Sequence, residues 1–235
     1  RLARESGINK ATTLRYLIAL QSADFIEQDR ESAKYFLGPA FHKYARVRMV
    51  SDPFPRMVET VLNDLADLTN ETSHISRLQG AMLETIDLVE STRSARVILP
   101  FGESLPLHAT ASGLAVLGWA SSGVLTEVTG RRLQAFTQHT ITSKADLKKA
   151  LDQVRRAGVA RGFQGFELDV VGLAAPYFGE DGTALGAVAV AMPVSRSSAA
   201  REATISKAVR QASHRLTTAL GGVSPPSYPK MNSET

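Results

Sequence analysis

The break at Ser51-Asp-Pro-Phe-Pro55 constrains the fold more than any other feature of this 235-residue chain. Proline has no N–H and its ring collides with the preceding helical turn, so neither Pro53 nor Pro55 can stand in the middle of a helix. The hydrophobic pattern also changes across this point. Upstream lie short helical pieces and a hairpin; downstream, a long amphipathic helix gives way to runs of strand character. We expect a small unit over 1–38, a linker helix and boundary over 39–56, a larger α+β unit over 57–222, and a Pro- and Ser-rich disordered tail over 223–235.

Charge follows the same division. Residues 1–50 carry nine Lys/Arg and five Asp/Glu and the rest of the chain eighteen of each, so the whole net charge of +4 lies upstream. A local positive balance supplies the phosphate-neutralising part of DNA affinity. The chain has no Cys, which excludes disulfides and fits a reducing cytoplasm. Its five His residues are scattered without ligand spacing, so neither a metal nor a cofactor is expected. No apolar run reaches the ~18 residues of a membrane span, and no basic-then-apolar leader opens the chain.

Ile8–Leu20 reads as a helix. Asn9 is a suitable N-cap, and Ala11, Leu14, Leu17 and Ile18 fall on one stripe that we expect to be buried. Lys10, Thr12, Thr13, Arg15 and Tyr16 fall opposite, and no carboxylate occurs between Lys10 and Leu20. These residue types hydrogen-bond phosphates and base edges. Before this helix, Arg1–Gly7 reads as a shorter helical piece ended by a left-handed Gly7. After it, strands over 25–27 and 34–37 flank the polar turn Asp29–Ser32. Helix, turn, helix and hairpin make a winged helix, truncated at its start because its opening helix would precede Arg1. Arg30 and Lys34 on the wing suit phosphate contact, or equally serve as solubilising charges. Pro39–Val50, with Lys43, Arg46 and Arg48, reads as the linker helix.

In the second unit, Met57, Val58, Val61, Leu62, Leu65 and Leu68 repeat at helical spacing. Strands are expected around Gln79-Gly80, over the Ala95–Gly102 stretch, and on both sides of the Gly179–Thr183 turn. Helices are expected near Ser112, over 143–158 with Leu147, Leu151 and Val154 buried, and at the C-terminus. This predicts an antiparallel sheet of five or six strands with helices at its edges or on one face.

The loop Gly102–Ala115 runs into a helix, whose N-terminal N–H groups suit a carboxylate. The bland alternative is that Ser112 only caps the helix and His108 is a hydrogen-bonded core residue. Ser112, His108 and Asp169 invite comparison with a hydrolase triad, but Thr110-Ala-Ser-Gly-Leu114 is no nucleophile elbow. Gly179-Glu-Asp-Gly-Thr183 lacks the Lys-Ser/Thr pair of a phosphate loop and reads as a hairpin turn.

Taken together, "LARESGINKATTLRYLIAL", "YFLGPAFHKYA", "LPLHATASGLAVL", the Arg155-Arg-Ala-Gly158 helix end and "GLAAPYFGEDGTALGAVAVAMPVSR" make the chain resemble the IclR family of bacterial transcriptional regulators over nearly its whole length. The resemblance implies an α+β architecture: an N-terminal winged helix-turn-helix, a linker helix and a GAF/PAS-like effector-binding domain. It implies a cytoplasmic homodimer or homotetramer, acting as a repressor or activator on palindromic double-stranded operators beside catabolic genes. It implies no catalytic role. DNA-binding residues would be Lys10, Thr12, Thr13, Arg15, Tyr16, Arg30 and Lys34. The effector site would include Val97, Leu105, Ala111, Ser112, Gly113, Gly162, Val170, Gly172, Ala189 and Ala191. Many members carry an acidic residue near 162 or 163 and Cys or Ser at positions matching 172, 189 and 191; a Lys often stands where Leu114 does. We therefore expect a roomier, less polar pocket for a small carboxylic acid, aromatic acids included, held at the amides of Ser112 and Gly113. The competing readings are a ligand-binding module whose winged helix contacts protein, and a hydrolase on a GAF-like fold.

Overall fold

The computed structural model describes residues 2–230 except 52, 100, 101 and 103, and not the side chains of 45, 46, 48–51 and 53. Arg46 and Arg48 thus lie outside the described side chains. The chain forms two compact units, Arg1–Pro53 and Phe54–Thr235.

The first unit contains α1 (Leu2–Glu5), α2 (Lys10–Ser22), the hairpin β1 (Ile26–Gln28) with β2 (Tyr35–Leu37), and α3 (Ala40–Ser51). Gly7 has φ +68° between the two helices. Asn9 caps α2, its Oδ1 accepting the Thr12 N–H at 2.9 Å. In the hairpin turn, Asp29 accepts from the Ser32 N–H and hydroxyl, both at 2.6 Å. Phe25 packs edge-on to Phe41 and stacks with Tyr44, tying the hairpin to α3. One expectation is corrected here: α2 has no buried residue, and Leu14 and Ile18 are 55% and 58% exposed. Among the described residues, α2 meets chiefly the four-residue α1 and the strand β1, too little to cover that stripe.

The second unit is built on one six-stranded antiparallel sheet in the order β5-β4-β3-β8-β7-β6. The strands are β3 (Thr72–Gln79), β4 (Met82–Val89), β5 (Ser104–Pro106), β6 (Ala160–Phe163), β7 (Val170–Phe178) and β8 (Ala184–Pro193). Helices α4 (Pro53–Thr69) and α8 (Ala199–Ala219) accompany one face; α5 (Ala111–Leu117), α6 (Ser122–Gly130) and α7 (Lys144–Ala157) accompany the other. Pro53 and Pro55 fall in the first turn of α4, where a missing N–H costs nothing. Helices cover both faces of the sheet, where they were expected at its edges or on one face, which is why β7 and β8 read as nearly continuous apolar runs.

The two faces differ in side-chain size. Val171, Leu173, Tyr177, Val188, Val190 and Met192 pack against Val58, Val61, Leu62 and Leu65 of α4 and Ile205, Val209 and Leu216 of α8. Leu68, expected in this stripe, is 61% exposed at the end of α4. On the opposite face the register aligns Thr72, Ala191, Gly172 and Gly162 in one row and His74, Ala189, Ala174 and Ala160 in the next. Rows of Gly and Ala let α5 lie close to the sheet.

Two further expectations change. Residues 95–99 form no strand; the Val97 carbonyl is held instead by the Thr72 hydroxyl at 2.7 Å, and the edge strand is β5. The tail is ordered through 230. Tyr228 packs against Trp119 and Phe178 and donates to the Gly158 carbonyl at 2.9 Å. Pro and Ser there spare the backbone while one aromatic residue anchors it. By contrast, α7 follows its sequence signals: Ser143 caps it, Gly158 ends it at φ +68°, and Leu147, Leu151 and Val154 are buried.

Candidate functional site

Where the small-residue rows meet the start of α5, a cavity with about 70 Å³ open to water opens between the sheet and residues 109–112. Its floor is His74, Ala189, Ala191, Gly172 and Gly162; Val97, Leu99 and Leu105 wall one side, and Gly165–Glu167 with Val170 close another. A water needs roughly 10–15 Å³ on this measure, so the space suits a compact ligand of a few heavy atoms.

The two central glycines do not enlarge it. A Cβ on Gly162 would lie 2.7 Å from the Ala111 nitrogen, and one on Gly172 would lie 3.0 Å from the Ala111 Cβ. At these two glycines α5 lies too close to the sheet for a side chain. Gly172, Ala189 and Ala191 give the wall no polar side chain, and α5 lies close against it at Gly172.

Local chemistry fixes the loop. Thr110, not Ser112, caps α5: its hydroxyl oxygen accepts the Gly113 N–H at 3.0 Å and its hydrogen goes to the Pro106 carbonyl at 3.1 Å. Ser112 sits one residue inside the helix, with Oγ 3.2 Å from His74 Nε2. His108 Nε2 pairs with the Gln134 carbonyl at 2.9 Å. The His108–Ser112 pairing that a hydrolase would need is therefore absent from the described contacts.

Nine of the ten sequence-predicted effector positions line the cavity; Gly113 does not. Its N–H is spent on the cap, and its α-carbon faces Leu107, whose backbone a Cβ would meet at 2.2 Å. An anchor on the Gly113 amide is thereby withdrawn. Two polar residues went unforeseen. His74 is buried, and loss of solvent lowers its imidazole pKa to about 4, so it is neutral. The alternation Thr72, His74, Ser76 on a buried strand was its signal. Glu167 stands at the mouth on the loop after β6, with its carboxyl pushed up by partial burial; no periodicity places such a loop residue. Among the described residues no Lys or Arg lines the cavity. Among the described residues no His/Cys/Asp/Glu cluster could hold a metal, and no helix is long and apolar enough to cross a membrane.

In the first unit, Lys10, Thr13 and Lys34 line one groove between α1, α2 and the hairpin. Arg15 and Tyr16 are exposed further along α2 and Arg30 at the hairpin turn, while Thr12 and Thr13 are half-buried. Thr13 donates its hydroxyl to the Asn9 carbonyl at 2.9 Å, so it meets an outside group only as an acceptor.

Comparison with known proteins matches residues 52–218 to the family described as bacterial transcriptional regulator IclR C-terminal. The chain is 29% identical to the transcriptional repressor IclR of Escherichia coli K12 over 225 residues, 94% of this chain and 82% of that one. It is 28% identical to the E. coli K12 regulator XynR, covering 94% and 88%. A crystal structure described as an IclR transcriptional regulator from Silicibacter sp. TM1040 superposes with a TM-score of 0.80 at 39% identity, covering 97% and 91%. An IclR homologue from Microbacterium hydrocarbonoxydans, solved with 4-hydroxybenzoate, shares the fold at 20% identity and a TM-score of 0.78, covering 93% and 89%.

Proposed function

Since the chain belongs to the IclR family of bacterial transcriptional regulators, we propose that its first unit binds a double-stranded operator and its second unit binds a small carboxylic acid whose occupancy alters DNA affinity. The cavity under α5 carries this reading. It is a largely apolar chamber with a few polar groups, the composition of a metabolite site. The DNA contacts are assigned to Lys10, Thr12, Thr13, Arg15 and Tyr16 on α2, with Arg30 and Lys34 on the wing. These stand in the segment that holds all of the chain's excess positive charge.

An effector shifts an equilibrium only by its differential affinity for the two states. Helix α3, which runs up to the boundary between the units, is the element assigned to transmit it. A palindromic operator calls for a two-fold symmetric protein, so the active form is a homodimer or a pair of dimers. Calorimetry of the full chain against short aliphatic acids, glyoxylate and pyruvate included, and aromatic acids tests the cavity. Failure of every acid to bind would remove the effector half of the proposal, and tightest binding by glyoxylate or pyruvate would remove the aromatic part. The alternative, a winged helix that contacts protein, predicts binding without the log–log salt dependence of DNA association.

A further inference from the structure

Residues 223–230 belong to no helix or strand, yet they are tied along their length to the body of the second unit. The Val223 N–H donates to the Gly179 carbonyl at 3.0 Å. Ser227 Oγ accepts the Trp119 indole N–H at 3.2 Å. The Tyr228 ring lies 5.0 Å from Trp119 and 5.1 Å from Phe178, and its hydroxyl donates to the Gly158 carbonyl at 2.9 Å. Arg210 of α8 donates to the Pro229 carbonyl at 2.7 Å and to the Lys230 carbonyl at 3.1 Å. The tail thus grips the residues that follow α5 and α7 at their carboxyl ends, Trp119 and Gly158.

All seven residues of α5 are buried, and at ~1.5 Å per residue the helix spans about 10 Å. So short a helix moves as one body. Its first residues, Ala111 and Ser112, roof the cavity; its other end runs into Trp119. That end is also held by Arg155, whose Nε donates to the Gly118 carbonyl at 2.9 Å, and by the Ala184 N–H, which donates to the Trp119 carbonyl at 3.3 Å. The cavity floor is locked by the ladders that join β3, β8, β7 and β6, so further room comes from the roof. Of the ties at the far end of α5, those to the tail come from a segment without regular structure, where local opening costs least.

We propose that residues 223–230 are a strap that holds α5 down on the sheet and so restricts the cavity. A ligand that raises α5 loosens the strap, and a loosened strap admits the ligand more readily. Linkage requires each event to alter the other by the same factor. This rests on the reading of the cavity as a small-molecule site and adds a control on its size.

The full chain reports on both ends. Trp119 is the only tryptophan, so its emission follows the strap, and hydrogen exchange in peptides over 109–119 follows α5. Tyr228→Ala and Arg210→Ala undo different ties to the tail. Each should shift the Trp119 emission to longer wavelength and speed exchange over 109–119 about fivefold or more, with Tyr228→Phe, which loses only the hydroxyl bond, in between. Of the short aliphatic and aromatic acids, the one that wild type binds most tightly should bind both Ala variants about fivefold or more tighter and should itself red-shift the wild-type emission. Exchange over 109–119 that is unchanged in both variants overturns the strap. Acid binding that is not tightened in both variants, although exchange over 109–119 has risen, overturns it equally and leaves the carboxylic-acid reading standing. If no acid binds any of these proteins, the carboxylic-acid reading fails and exchange over 109–119 alone decides whether the strap holds α5.

Discussion

Replacing His74 with Gln should remove a defined part of the protein's acid sensitivity. Burial depresses the His74 pKa from 6.5 to about 4 in the folded chain, while the unfolded chain titrates at the ordinary value. Below pH 6.5 the unfolded state takes up a proton that the native state refuses, so stability falls as pH drops and the loss is complete near pH 4. One pH unit corresponds to about 1.4 kcal/mol. Between pH 7 and pH 5 the native state should therefore lose about 2 kcal/mol through this ring, and about 3 kcal/mol by pH 4. For a unit of this size 2 kcal/mol is roughly 4–8 °C in Tm. The assay is urea or thermal unfolding of wild type and His74→Gln at both pH values. Each protein is compared with itself, so the other titrating groups cancel. The variant's decline from pH 7 to pH 5 should be smaller by about 2 kcal/mol. Equal declines would show that the ring is solvated or already partnered, and would refute the buried-neutral assignment.

Other perturbations follow from the same structure. Glu71 is fully buried and receives Arg196 and Arg201 at 2.5–2.9 Å; both arginines remain partly exposed, so Glu71→Ala should cost about 2–3 kcal/mol in urea unfolding. Gly162→Ala drives a Cβ against the Ala111 nitrogen and should cost about 1–3 kcal/mol while displacing the start of α5. Thr110→Ala removes the cap of α5, at about 1 kcal/mol. Arg15→Ala should weaken operator binding without changing acid affinity measured on the same preparation; a parallel loss of both would indicate misfolding and not a lost DNA contact.

The sequence made the strand hairpin β7–β8 and the capped helix α7 legible because each rests on local rules: continuous apolar runs around a turn, and a serine cap with a terminal glycine. Most of the cavity wall came from family resemblance, and the structure places those small residues together through strand register, a long-range property that periodicity does not reveal. His74 escaped notice because a lone histidine in a strand is ordinary until its neighbours across the sheet prove to be alanines. Glu167 escaped because its position depends on how the loop after β6 is pinned, by Thr137 and Thr140 hydroxyls on the Gln164 and Gly165 carbonyls. The exposed stripe of α2 shows the converse. Its apolar spacing was read correctly as a pattern, but burial needs a partner surface, and the described part of that unit supplies too little.

The coupling of cavity to DNA is tested most directly by fluorescence anisotropy of a promoter fragment from beside the protein's own gene, titrated with the full chain at stepped salt, with and without the tightest-binding acid of the calorimetric series. The account predicts an affinity that falls linearly on a log–log plot against salt. The acid should shift that affinity about fivefold or more in wild type and not in Ala191→Leu, which fills the cavity floor. Salt-insensitive or absent DNA binding, or an acid response that survives the filled cavity, would contradict it.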